Sequence, residues 1–164
     1  WDTNEVFARA QLRLLEGTEQ AAGRMCPTTN RLEFVRSYDQ AIAACTMDEL
    51  KRGLTEFRAE HDRHVKELGD CVRQLGGQPQ VRRDWKGFLI GGFTAIVSQG
   101  DHSSLVAMQA NEEVTNAYYK RALEMPDLTP DVRALVEKNF NDEQRHLRWI
   151  KEQIASRVWE RRAA

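Results

Sequence analysis

The sequence predicts an all-α protein: a four-helix bundle with an extra helix at its N-terminus and a short helix in the crossover between its two halves. Three observations predict it. Every periodic stretch repeats its apolar residues at steps of three and four, and none alternates by two as a half-buried strand does. Cap residues, glycines and prolines cut the chain into stretches of helical length. Three of the long stretches also carry an apolar seam that is broken near its middle by an imidazole or a carboxylate.

A first helix is expected over about 3–24, with Val6, Phe7, Ala10 and Leu14 as its stripe, ending near Cys26-Pro27. Asn30 caps a second helix, with Glu33 in the capping-box position, and its inward face reads Arg31, Phe34, Tyr38, Ala41, Ile42, Cys45. Asp48 opens the third, whose seam runs Leu50, Leu54, Phe57, His61, His64, Leu68, Cys71, Leu75 up to the stop signal Gly76-Gly77-Gln78-Pro79. Asp84 caps a short helix over about 85–98, carrying Trp85, Phe88, Leu89, Phe93, Ile96 and Val97. Gly100 ends it, and Asp101 caps the next helix, about 102–125, with the seam Leu105, Met108, Glu112, Thr115, Tyr119, Ala122. Met125-Pro126 closes that helix, and Thr129-Pro130 starts the last, since proline is well tolerated at the first helical position. The last seam is Val132, Val136, Glu143, Leu147, Ile150, Ile154, Val158, and the helix is expected to reach about 161.

Short turns after residues 45 and 125 make two antiparallel hairpins, and the longer segment 76–101 joins them as a crossover. The 164 residues suit one domain, 1–164, with 1–26 as the additional helix and 30–160 as the bundle. The 24 Lys and Arg against 25 Asp and Glu leave the chain near neutral, which gives no support to a nucleic-acid or anionic-membrane partner. The longest apolar run, Phe88 to Val97, is cut by Gly91 and Gly92 and falls short of the roughly 20 residues a membrane span needs. No basic-then-apolar leader is visible, and the chain opens on Trp1 without an initiator Met. Three cysteines without a CxxC (Cys26, Cys45, Cys71) point to free thiols in a reducing cytoplasm.

The interrupted seams carry the chemistry. A charged or imidazole group in a helical seam is costly unless it is paired or bound. Reflecting each hairpin about its turn brings His61, His64, Glu112, Glu143 and His146 to one level, to within about one helical turn, or 5 Å. Glu143 and His146 form a Glu-x-x-His pair, one turn apart on one helix face. Repeated on two helices, with a lone Glu on each of the others, that pair is the di-iron and di-manganese plan of helical bundles. Here the third helix offers His61-Asp62-Arg63-His64 instead, with Glu60 one residue off the face, and the second helix places Arg31 inward while Glu33 lies on the outward side with Arg36, Ser37 and Gln40. Two readings follow. Either the histidines and glutamates bind a metal, or they join Arg31, Tyr38 and Tyr119 in a buried ion and hydrogen-bond network that needs none.

The run Glu60-His61-x-x-His64-Val65-x-Glu67-Leu68 to Leu75-Gly76-Gly77-x-Pro79 resembles the second bundle helix of short bacterial ferritin-like proteins of unknown function. Trp85-x-Gly87-Phe88, Asn111-Glu112-Glu113 with Tyr118-Tyr119, and Pro130-x-Val132-Arg133-x-Leu135-Val136 leading to His146 resemble the same group, over about residues 30–155. The resemblance implies a ferritin-like bundle with a crossover and iron or manganese as the metal. It also implies that Glu112, Glu143 and His146, with His61 or His64, match ligand positions. The sequence departs from that pattern where Arg31 stands in place of a glutamate.

Two functions therefore remain open. One is a metal-binding ferritin-like protein that stores or oxidises iron or carries a redox di-metal centre, with Glu112, Glu143, His146 and His64 as ligands and His61 beside them. The other is a metal-free structural or stress-associated interaction bundle. Whether the chain catalyses anything stays undecided at this level. Trp149 is expected to pack between helices, and Asp101-His102-Ser103-Ser104 reads as a capping run rather than a catalytic one. No Ser-His-Asp arrangement, phosphate loop or paired CxxC supports a hydrolase, a nucleotide binder or a zinc ribbon. The apolar stripe of the N-terminal helix has no place in a four-helix plan: it either covers the outside of the bundle or docks on a second copy, and of the two a homodimer is expected.

Overall fold

The computed structural model describes residues 31–74, 100–126 and 128–163. These form α1 (Arg31–Ala44), α2 (Asp48–Gln74), α3 (Asp101–Leu123), α4 (Pro130–Ala155) and a closing 3-10 segment, Val158–Ala163, with no strand among the described residues. The expected N-terminal helix and the short helix over 85–98 lie outside them, as does the side chain of Arg31.

Contacting pairs give the direction of each helix. Arg58 bonds Asp39 between α1 and α2, and Lys138 bonds Glu67 between α2 and α4. Asn111 bonds Ser37 between α1 and α3, and Asn116 reaches Glu143 between α3 and α4. Read with Tyr38–Glu112 and Thr46–Asp101 on one side and Glu60–His146 on the other, every neighbouring pair is antiparallel. The packed pairs are α1 with α2, α1 with α3, α2 with α4 and α3 with α4. So α2 and α3 run parallel at opposite corners, and the chain leaves α2 at one end of the bundle and starts α3 at the other. A simple up-and-down bundle places consecutive helices side by side; this one does not.

The seams face inward as their spacing requires. Leu50, Leu54 and Phe57 of α2, Leu105 and Met108 of α3 and Ile150 of α4 join Tyr38, Ala41, Cys45 and Val158 in one apolar cluster. Ala122, Leu128, Val132 and Val136 form a second cluster, with Cys71 and Tyr119 against it. Each fully buried aliphatic or aromatic side chain contributes about 1.5–3 kcal/mol. The polar layer lies between these clusters.

Three local expectations change. Asp101 does not cap its own helix: Gly100, at φ 104°, holds the N-cap position without a side-chain bond. The Asp101 carboxylate instead accepts the Thr46 backbone N–H and hydroxyl, both at 2.6 Å, and so ties the α1–α2 turn to the start of α3. Those bonds hold it below its ordinary range although burial acts the other way. The last helix stops at Ala155 rather than near 161, because Arg157 takes a left-handed conformation, φ 47°, and the chain re-forms as a 3-10 turn. Ser37 is buried rather than outward, since α3 packs over that flank of α1 and Asn111 donates to its hydroxyl at 2.9 Å.

Trp149 packs between helices. A Cβ built on Gly53 would stand 2.5 Å from its ring, so α2 and α4 approach closely only because that residue has no side chain. Its indole also meets Phe57 edge-on, at 5.2 Å between ring centroids.

Candidate metal centre

Each helix delivers its polar residue from the middle of its seam. Steps of three put His61 and His64 on one face of α2, and Glu143 and His146 on one face of α4; Glu112 faces them from α3. All five are buried. Among them His61, Glu112, Glu143 and His146 each offer a donor atom, and these atoms lie within 4.8 Å of one another. This group can hold a metal ion.

The imidazoles and carboxyls already touch. His61 Nε2 is 3.2 Å from Glu112 Oε1, and its Nδ1 is 3.3 Å from Glu143 Oε1. His64 places Nδ1 3.0 Å from Glu143 Oε1 and Nε2 3.0 Å from Asp142 Oδ2. Tyr38 donates its phenol to Glu112 Oε1. His146 Nε2 lies 2.5 Å from Glu60 Oε2, which also accepts Arg145 at 2.5 Å. A carboxylate can only accept, so His146 carries a hydrogen on Nε2 and turns Nδ1 towards the layer.

That Nδ1 has no hydrogen-bond partner, and neither do Glu112 Oε2 and Glu143 Oε2. Nδ1 and Glu112 Oε2 stand 3.7 Å apart, beyond hydrogen-bond length. Buried polar atoms without partners cost about 1–3 kcal/mol each. Two carboxylate oxygens and an imidazole nitrogen left so in one four-residue group call for positive charge among them: a proton or a cation.

Protonation takes up part of the demand. Burial, and next the Glu112 charge, push the Glu143 carboxyl well above the usual carboxylate range. Burial would raise Glu112 as well, but the facing imidazoles of His146 and His61 outweigh it and hold that carboxyl low. Burial pushes His64 down to about 4 against the pull of Asp142, so it is neutral at pH 7. Without a metal, then, a proton in the inner pair favours Glu143, whose Oε1 faces the Nδ1 atoms of both His61 and His64. Burial, then the adjacent Glu112 charge, raise Tyr38 well above its ordinary value, so it stays a neutral donor.

The residues expected from sequence therefore divide. His61, Glu112, Glu143 and His146 form the inner group. His64 lies against it, bonded outward to Asp142, and Tyr38 reaches it through Glu112. Tyr119 stands half-buried at the flank, 6.3 Å from His64 between ring centroids. Arg31, proposed as an inward partner, has its side chain outside the described residues.

Three residues were not expected in the layer, Glu60 having been placed one residue off the seam face. Glu60 and Asp142 each sit one position before a seam residue, on the flanks of α2 and α4 that face each other. Asn139, one turn before Glu143, is fully buried, with both polar side-chain atoms unpartnered among the described residues. Its place at the seam step between Val136 and Glu143 was the available signal.

Residues 34–125 match the family described as Domain of unknown function (DUF2383). That span is more than half of the chain. The chain belongs to this family. The matched region carries α1 to α3, with Tyr38, His61, His64 and Glu112, and ends before α4 brings Glu143 and His146. Comparisons with curated proteins and with solved structures return no match.

Proposed function

We propose that this is a metal-binding bundle of the ferritin-like kind, holding one first-row transition ion, iron or manganese, between His61, Glu112, Glu143 and His146. The observation that carries the reading is the convergence of three unpartnered buried polar atoms, Glu112 Oε2, Glu143 Oε2 and His146 Nδ1, in a group of mixed imidazole and carboxylate donors. Such a set suits borderline divalent ions. Glu60 supports the reading further, because a carboxylate behind a ligating histidine fixes its tautomer and raises its basicity.

A single ion fits better than the di-metal plan. Glu60 and Asp142, the carboxylates that a second ion would need, are already paired with Arg145 and Arg63, each at 2.5 Å. Bound iron or manganese would supply one-electron redox chemistry. The protein's own residues would bind the ion, exclude water from it and hold Tyr38 as a donor on one ligand. The parallel α2 and α3 at opposite corners support the ferritin-like assignment, and the free thiols of Cys45 and Cys71 support a cytoplasmic setting.

The test is metal analysis of protein purified without chelators, repeated on Glu143→Ala. About one equivalent of a transition metal, lost in the variant, is the expected result. No metal in the native protein, or the same content in both, sinks the proposal.

The metal-free network remains the second reading, favoured by one observation: every imidazole nitrogen of the layer except His146 Nδ1 already lies within 3.3 Å of a carboxylate oxygen. On that reading the shared proton on Glu143 completes the layer, and stripping metals leaves the melting temperature unchanged. Homodimerisation through the N-terminal helix is a separate proposal. Sedimentation of the full chain against a form lacking residues 1–26 tests it, and an equal mass per particle would refute it.

A further inference from the structure

The inner group is sealed on most sides. Tyr38 and Phe57 cover it with buried rings. On the α1–α3 side Ser37 and Asn111 bond to each other, and on the α3–α4 side Asn116 donates to the backbone carbonyls of both Glu112 and Glu143, at 2.9 and 3.0 Å. The exposed acids of the α1–α2 side, Asp39 and Asp62, are both held by Arg58.

The seam between α2 and α4 differs. Here two partly exposed carboxylates touch buried imidazoles directly: Glu60, 16% exposed, lies 2.5 Å from His146 Nε2, and Asp142, 21% exposed, lies 3.0 Å from His64 Nε2. Two guanidiniums hold them: Arg63 donates from Nη2 to Asp142 Oδ2 at 2.5 Å, and Arg145 spans both acids. Arg145 donates from Nη2 to Glu60 Oε2 at 2.5 Å and reaches Asp142 Oδ1 at 3.4 Å. It is itself 42% exposed, stands over the Phe57 ring at 5.7 Å, and has Glu56 Oε1 3.8 Å from Nη1 on its solvent side.

We propose that divalent cations reach the centre through this α2–α4 seam, with Glu60 and Asp142 as the receiving carboxylates and Arg145 as a latch that a cation must displace. The inference rests on the metal reading above. Two carboxylates at the mouth of a low-dielectric passage attract a divalent ion, and an arginine seated between them cancels that attraction until it moves. Arg145 has somewhere to go, because Glu56 can hold the guanidinium further out. Glu60, released from Arg145, can then pass the ion inward to His146, while Asp142 keeps Arg63 and adds its charge at the mouth. Arg145 touches none of the four inner residues in its latched position, so it governs passage and not the final coordination.

The test is stopped-flow uptake of Co²⁺, read by its visible absorption, on the full chain after chelator treatment, with extraction by excess chelator followed in the same way. Arg145→Gln is compared with Arg148→Gln, which removes the same charge from the opposite flank of α4, where Arg148 lines a shallow groove with Asn116 and Lys151. The proposal expects Arg145→Gln to load and release Co²⁺ at least fivefold faster with the final spectrum and stoichiometry unchanged, and Arg148→Gln to stay within twofold of the native protein. Equal rates for Arg145→Gln and native protein overturn it. So does equal acceleration in both variants, which would reduce the effect to net charge. If the native protein develops no Co²⁺ band at all, the metal reading itself falls and takes the latch with it. A normal band with indifferent rates removes the latch alone.

Discussion

Tyr38 on α1 donates its phenolic hydrogen to Oε1 of Glu112 on α3, and neither side chain reaches solvent. The bond joins residues 74 positions apart, keeps the proton on Tyr38 and gives the buried carboxylate one of its donors. Removing the donor leaves Glu112 Oε1 with His61 alone. Tyr38→Phe, which keeps the ring, is expected to lower stability by about 1–3 kcal/mol in urea unfolding of the chelator-treated protein. A loss below about 0.5 kcal/mol would mean that the phenol contributes only its ring.

The close approach of α2 and α4 makes a second demand. Alanine is the better helix former by about 1 kcal/mol, so Gly53→Ala would stabilise α2 if nothing stood against it. Here the new methyl meets the Trp149 ring at 2.5 and 2.6 Å. Overpacking of this kind costs about 1–3 kcal/mol. The variant is expected to melt lower than the native protein, with a change in tryptophan emission as the indole is pushed off α2. An unchanged or higher melting temperature would show that the helices separate freely.

Most of the inner group could be read from periodicity alone, because a metal-type residue in an apolar seam must be buried with its neighbours. His61, Glu112 and Glu143 occupy the slots that Phe57, Met108 and Val136 prepare. Glu60 and Asp142 escaped the same reasoning for a physical reason. A residue one position before the seam lies about 100° around the helix, on a flank whose fate depends on how near the next helix comes. Gly53 brings α4 close to α2, and that closeness converts both flanking acids into contacts of the layer. Asp101 escaped differently: a capping-type residue at a helix start ordinarily serves its own helix, and only the antiparallel contact of α1 with α3 shows that it serves the turn at Thr46. The break at Arg157 carries no glycine or proline to announce it.

Protonation of His64 links stability to pH. Burial lowers its folded-state value to about 4 from an ordinary 6.5, so the unfolded chain binds the extra proton first. The contribution is complete above pH 6.5 and is lost as pH falls from 6.5 towards 4, by roughly 3 kcal/mol at most. Chemical unfolding of metal-free protein at several pH values should show this slope, and His64→Gln should flatten it. A native protein and variant that lose stability in parallel across that window would exclude His64 as the source.

The two inner glutamates are expected to respond oppositely to the same change. Burial and the adjacent Glu112 charge favour the protonated form of Glu143, so a glutamine there is close to its electrical state, and Glu143→Gln should alter metal-free stability by no more than about 1 kcal/mol. Glu112 is ionised and accepts from Tyr38. A glutamine at that position removes the charge that Tyr38 and His61 meet, and it puts an NH2 group where a carboxylate oxygen stood. Glu112→Gln should therefore cost roughly 2–4 kcal/mol. Both variants should fail to develop the Co²⁺ band, since each removes an anionic ligand atom. The asymmetry in the metal-free protein is what distinguishes a carboxyl pair sharing one proton from a pair ionised alike: equal losses in the two variants would place the proton elsewhere, and a larger loss at Glu143 would place it on Glu112.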